Sequence, residues 1–234
     1  MGDLRTTLRR WHVGLCWLVC LPILLWTVSG LVMAAKPLEE VRGDSLVAPL
    51  KPIQIGSPLA VPQIEGRPVT AFKLESRAGG PRWIVTFADG ESRQADPATG
   101  KLLPRLGAAD AAREVADRST SKAKVISTSR IDANSPPLEL RSAMNGWRVA
   151  LDDGTNFYVD GGSGEIVAHR TGWWRMYDFM WGLHIMDLQG RADTSNPWVV
   201  TFVALSILMV LLALVLLPLT LRGNGNGAGG GNGK

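Results

Sequence analysis

The sequence predicts an α+β protein in which two transmembrane helices flank an exported domain of two antiparallel β units, the second with a packed helix. Three observations lead there. Two long stretches carry no charge, a turn-and-strand pattern occurs twice without a gap, and an alanine-rich amphipathic stretch precedes the second copy.

The first uncharged stretch runs from Val13 to Ala34 and the second from Pro197 to Leu221. Each is long enough to cross about 30 Å of hydrocarbon as a helix. Arg5, Arg9 and Arg10 followed by an apolar run, with "VMA" at 32–34, also resemble a secretory signal. The apolar run exceeds the roughly 7–15 residues of a signal core, so it reads as an uncleaved signal-anchor. The same three arginines stand against Asp3 alone, whereas Lys36 is followed by Glu39 and Glu40. The bias of basic residues keeps the N-terminus in the cytoplasm, and a second span returns the C-terminus there. The expected location is the bacterial cytoplasmic (inner) membrane, with the bilayer as first partner and the central region outside it, in the periplasm if the organism is Gram-negative.

The boundaries that follow are a cytoplasmic N-terminus at 1–12, a first span at 13–34 and an extended linker at 35–59. Two β repeats occupy 60–105 and 106–170. An interfacial amphipathic segment at 171–196, a second span at 197–221 and a flexible cytoplasmic tail at 222–234 complete the chain. The tail, "GNGNGAGGGNGK", has no core-forming residue.

A formal net charge of +4 raises the question of nucleic acid. The basic residues are scattered among nearly as many acids with no stripe, and an exported domain does not meet nucleic acid. Cys16 and Cys20, the only cysteines, both lie inside the first span, so the exported part has no disulfide. They read as small apolar residues on one helix face. Val19 before Cys20 does not suit a lipoprotein site.

The repeat aligns "WIVTFADGESRQADPATGKLL" (83–103) with "WRVALDDGTNFYVDGGSGEIV" (147–167), bringing Trp83 onto Trp147, Asp89-Gly90 onto Asp153-Gly154, Asp96 onto Asp160 and Gly100 onto Gly164. Asp-Gly between alternating residues predicts a tight hairpin in which both central residues take positive φ. "DPATG" and "DGGSG" predict a second turn, with aspartate accepting backbone N–H bonds and glycine in the left-handed region. In 108–118, Ala108, Ala111, Ala112, Val115 and Ala116 fall on one helical face, and "AKVISTSRI" alternates as a strand. "RPVTAFKLESR" supplies the leading strand of the first copy. The prolines of "APLKPIQIGSPLAVPQ" exclude an equivalent first helix.

The helix and strand meander ending in "DPATGKLL" or "DGGSGEIV" resembles the PepSY domain. The stretch "RRWHVGLCWLVCLPILLWTVSGLVMA" resembles the first span of PepSY-associated transmembrane proteins, and "DFMWGLHIMD" resembles a segment of their small members. The resemblance covers about Arg9 to Leu221. One departure is Cys16, four positions after His12, where the family commonly has glycine; here a glycine stands at Gly14. The family implies either regulation of a secreted peptidase or a place in iron-siderophore uptake and membrane electron transfer with haem b.

The three histidines, His12, His169 and His184, have no zinc spacing, and no serine-hydrolase elbow or phosphate loop occurs. The expectation is therefore a non-catalytic, membrane-anchored accessory protein. It would act through its exported domain on a peptidase or on a reductase or transport system. The alternative is a haem-binding electron-transfer subunit with His12 and His184 as axial ligands. These two lie at opposite faces of the membrane, so each would need a partner histidine, which a symmetric dimer with a four-helix bundle supplies. His184 has a second reading as part of an interfacial helix over 173–188, paired with Asp187 and flanked by Trp181 and Tyr177. Asp96 and Asp160 read as turn caps, and His169 as a surface residue at the end of a strand.

Overall fold

In the computed structural model, residues 2–64 and 66–225 are described. The part of the expected tail from residue 226 onward lies outside them. The chain divides into two compact units, one formed by the residues up to Ala35 and from Tyr177 onward, the other by Lys36–Met176.

The first unit contains α1 (Gly2–Ala34) and α5 (Pro197–Gly225). Both are long and apolar enough to cross a membrane, over Asp3–Ala34 and Pro197–Pro218. They pack on each other and bury Val19, Phe202 and Leu216. Most of their large side chains point outward, including Trp17, Leu21, Leu31, Trp198 and Leu214. A helix apolar on every side needs an apolar surround, and a bilayer provides it. α1 continues through residues 2–12, which the sequence marks only as a cytoplasmic terminus.

The second unit holds two antiparallel sheets. The first, in the order β1-β2-β3, comprises Val69–Arg77, Gly80–Phe87 and Ser92–Ala95. The second, β4-β5-β6-β7, comprises Val125–Ile131, Gly146–Leu151, Asn156–Asp160 and Ile166–Arg170. The repeat is visible in the register: Trp83 faces Ala95 and Val85 faces Arg93, as Trp147 faces Val159 and Val149 faces Phe157. The leading strands are also related, each with a register shift near its start, at Val69/Ala71 and Val125/Ser127. Phe72 pairs with Val85 and Thr128 with Val149, so the second copy holds eight more residues between its first two strands. That is why a gapless alignment begins only at Trp83.

Helix α3 (Ala108–Arg118) lies on the second sheet, where Ala111 and Val115 join Val149, Leu151, Phe157 and Val159 in a core sealed from water. Among the described residues no helix covers the first sheet. Its smaller core of Val85, Phe87 and Ala95 is closed by Ile64, Val69, Trp83 and Leu102. The stretch before β1 crosses it, with the Ala60 N–H donating to Pro97 O and that of Gln63 to Gly100 O. Gly100 has φ 72°, and a Cβ there would collide with the Val61 carbonyl, so the position requires glycine twice over. The linker is not wholly extended, for it contains the short helix α2 (Leu38–Arg42) and a 3-10 turn (Asp44–Leu46).

The hairpins differ from the expected form. Phe87 N–H donates to Glu91 O and Gly90 N–H to Phe87 O, and Leu151, Thr155 and Gly154 repeat the pattern. Only Gly90 and Gly154 have positive φ; Asp89 and Asp153 do not. These are type I turns followed by a left-handed glycine, the three-residue hairpin, in place of the two-residue turn. Asp89 Oδ1 accepts the Glu91 N–H and Asp153 Oδ1 that of Thr155, an arrangement compatible with ordinary φ.

Candidate functional site

His184 is the last residue of α4 (Gly172–His184). Its Nδ1 lies 3.1 Å from Ser29 Oγ and 3.2 Å from Trp26 O, and its ring stacks on Trp26 at 4.5 Å and 20°. Ser29 is 1% exposed and donates to the same Trp26 carbonyl at 2.9 Å. Gly30 makes the approach feasible, since a Cβ there would sit 3.3 Å from His184 Cε1. A carbonyl only accepts, so the bond to Trp26 O requires a proton on Nδ1, which in a neutral ring leaves the lone pair on Nε2.

The expected His184–Asp187 pair does not form. The helix stops at His184, and Met186, at φ 55°, turns the chain away from helical spacing. Asp187 closes its own loop instead, Oδ1 accepting from Gly190 N and Oδ2 from Ala192 N and Asp193 N. Those backbone bonds, that from Ala192 foremost, hold its carboxyl below the usual range. Within the same hairpin Arg191 Nη1 donates to buried Asp178 at 2.7 Å, Trp181 Nε1 donates to Arg191 O, and Asn196 Nδ2 donates to Ile185 O. Gly182 has no room for a side chain against Arg191.

His12 is far from His184. Along α1 it precedes Ser29 by seventeen residues, or about 25 Å at 1.5 Å per residue. Its Nε2 lies 3.5 Å from Cys16 Sγ, and its buried Nδ1 has no hydrogen-bond partner among the described residues. Cys16 thus sits beside the imidazole, while Gly14 faces open space. No group of three or more His, Cys, Asp or Glu side chains is placed to hold a metal among the described residues. As for haem, the anchored Nδ1 of His184 suits one axial imidazole, and His12 lies too far along the helix to be the other.

In the second unit the repeated aspartates are held by their own turns. Asp96 Oδ1 accepts from Ala98 N and Thr99 N; Asp160 Oδ1 accepts from Gly162 N, Ser163 N and Ser163 Oγ. His169 is no simple surface group. It packs on Phe157 and beside Gly43, and burial pushes its imidazole below the usual range.

Two polar clusters were not legible in the sequence. Glu139, from the eight-residue-longer connection of the second copy, accepts from Tyr158 Oη, Asn156 Nδ2 and Arg175 Nε. Burial raises its carboxyl, but these three donors outweigh that and leave it below the usual carboxylate range, while burial and the Glu139 carboxylate raise the Tyr158 phenol. A depressed folded-state pKa stabilises the fold above the unfolded value near 4.3, and the stabilisation is lost as pH falls through the folded value. Urea midpoints should therefore drop below about pH 4.3, and Glu139→Gln should flatten that acid limb; an unchanged limb would remove Glu139 from it.

The second cluster joins the copies. Arg77 of β1 donates to Glu75 Oε2 at 2.5 Å and lies 3.5 Å from Glu114 Oε1 on α3, whose Oε2 accepts from Ala78 N. Arg77 and Glu114 side chains are each 4% exposed. Around them Gln94 Nε2 donates to Ser163 O and Leu106 N–H to Gly161 O, while Gly162 lies so close to Ser92 O that no Cβ fits.

The class these features define is a protein with two apolar, membrane-length helices and an α+β unit of two antiparallel sheets. Compared with known protein families, curated proteins and solved structures, the chain matches none.

Proposed function

We propose that this chain is a membrane-anchored, PepSY-like accessory protein of the bacterial inner membrane that presents its α+β unit to a periplasmic or membrane partner and performs no chemistry itself. The observation that carries the reading is the pairing of two outward-apolar helices with a duplicated β unit whose repeated aspartates are spent on turn amides. Both termini are cytoplasmic in this reading. Alkaline phosphatase fused after Arg105 should be active and a fusion after Arg222 inactive; the reverse would overturn the orientation. Purification under mild solubilisation tests the role: recovery with a peptidase supports regulation, and turnover of substrate by the pure protein refutes the non-catalytic reading.

One observation favours a second reading, a haem-binding electron-transfer subunit linked to iron-siderophore uptake or reduction. The Nδ1 bond of His184 to a backbone carbonyl orients an imidazole for ligation through Nε2. When bound, haem would supply one-electron chemistry. A second copy would contribute the other axial histidine. The expected result is a Soret band in protein from haem-supplied cells that is lost in His184→Ala. A colourless wild type, or a band indifferent to both His12→Ala and His184→Ala, leaves His184 as an anchor of α4.

A further inference from the structure

We propose that the α+β unit carries a binding site for a small oxyanion, a carboxylate or a phosphate, in the cleft between its two β copies. The cleft has a volume of about 240 Å³. Arg77 and Arg82 reach it from the first sheet, Arg105 from the connection after β3, and Arg113, Asp110 and Glu114 from α3. Four guanidinium groups thus face two carboxylates. Glu114 Oε2 accepts from the Ala78 amide, its Oε1 lies 3.5 Å from Arg77 and 3.8 Å from Arg118 without a hydrogen bond among the described residues, and Asp110 lies 3.0 Å from Arg113.

Of the cations only Arg82 lacks a carboxylate partner among the described residues; Arg77 is held by Glu75 and Glu114, and Arg113 by Asp110. Arg105 reaches Glu91 at 2.6 Å, outside the cleft lining. Arg82 donates only to Pro81 O, and no carboxylate lies within 4 Å of it among the described residues. Arg77 is 7% exposed and donates through its Nη atoms to Glu75 and Gly164 O, yet its Nε has no acceptor among the described residues. A buried guanidinium donor without an acceptor is costly, and a cleft lined by an excess of planar five-donor groups suits a group with two or more adjacent oxygens. The volume limits the occupant to something near the size of inorganic phosphate or a short carboxylic acid. Because the walls come from both copies, an occupant would tie the first sheet to α3 and stabilise the folded unit by mass action.

The test uses the full chain in phosphatidylcholine nanodiscs at low chloride, titrated by calorimetry with inorganic phosphate and, separately, with succinate. Saturable binding of at least one is expected, weakened tenfold or more in Arg82→Gln/Arg113→Gln. Both side chains are at least partly solvent-facing, so the variant should keep the wild-type circular dichroism and unliganded melting midpoint. The charge-matched control Lys73→Gln/Lys122→Gln should bind as the wild type does. Phosphate alone would identify a tetrahedral ligand, and succinate alone a carboxylate. No saturable binding of either, or equal weakening in the control, overturns the site.

Discussion

Arg77→Met should lower the stability of the α+β unit by about 3–5 kcal/mol, because it strands the Glu114 carboxylate at a side chain only 4% exposed. What remains to Glu114 is the Ala78 amide and Arg118 at 3.8 Å. Urea unfolding followed by tryptophan fluorescence reads the loss, since Trp83 and Trp147 each belong to one sheet. The double variant Arg77→Met/Glu114→Leu should recover much of it, because two apolar side chains leave no buried charge. A loss under about 1 kcal/mol for Arg77→Met would mean that the pair is solvated like a surface salt bridge.

Asp178→Leu should have an effect of similar size on the hairpin between α4 and α5. Asp178 is 5% exposed at its side chain and holds Arg191, itself 20% exposed and at φ 52°. Removing the carboxylate leaves a half-buried cation on a strained backbone, a cost of about 3 kcal/mol. Limited trypsin digestion in nanodiscs reads it directly, since cleavage after Arg191 requires local opening. The cleavage rate should rise by about two powers of ten, and Asp178→Asn should give a smaller rise. An unchanged rate would show that the Trp181 and Asn196 bonds hold the hairpin alone.

What the sequence disclosed was periodic or local. The two apolar stretches, the strand repeat from Trp83 to Trp147 and the α3 helix all depend on near neighbours, and each formed, although Ala116 of the expected apolar face is exposed and Glu114 is buried instead. The hairpin type was misread because Asp-Gly fits two turns, and only backbone geometry separates them. α2 and the 3-10 turn are too short to leave a periodic trace. His184 and Asp187 have the right spacing for a helical pair, but the helix ends at the first of them. The partner that does meet His184 is Ser29, 155 residues away, and nothing local to either residue announces the other. Arg77 with Glu114 and Glu139 with Tyr158 are hidden for the same reason.

The linker that leaves α1 has a mechanical meaning. It first lies along the end of α3, through Ala48 N–H to Arg118 O and Thr120 N–H to Leu46 O, and then crosses the first sheet at Ala60 and Gln63. Pro37, Pro49, Pro52, Pro58 and Pro62 have no N–H to give, so few bonds secure a long piece of chain. Tension applied along the chain at Ala35 would load those bonds in sequence, like a strip peeled from one end, while the strands behind them stay in register. The resistance to pulling is therefore graded. The strap yields first, then the lid over Val85 and Phe87, and last the core that α3 closes.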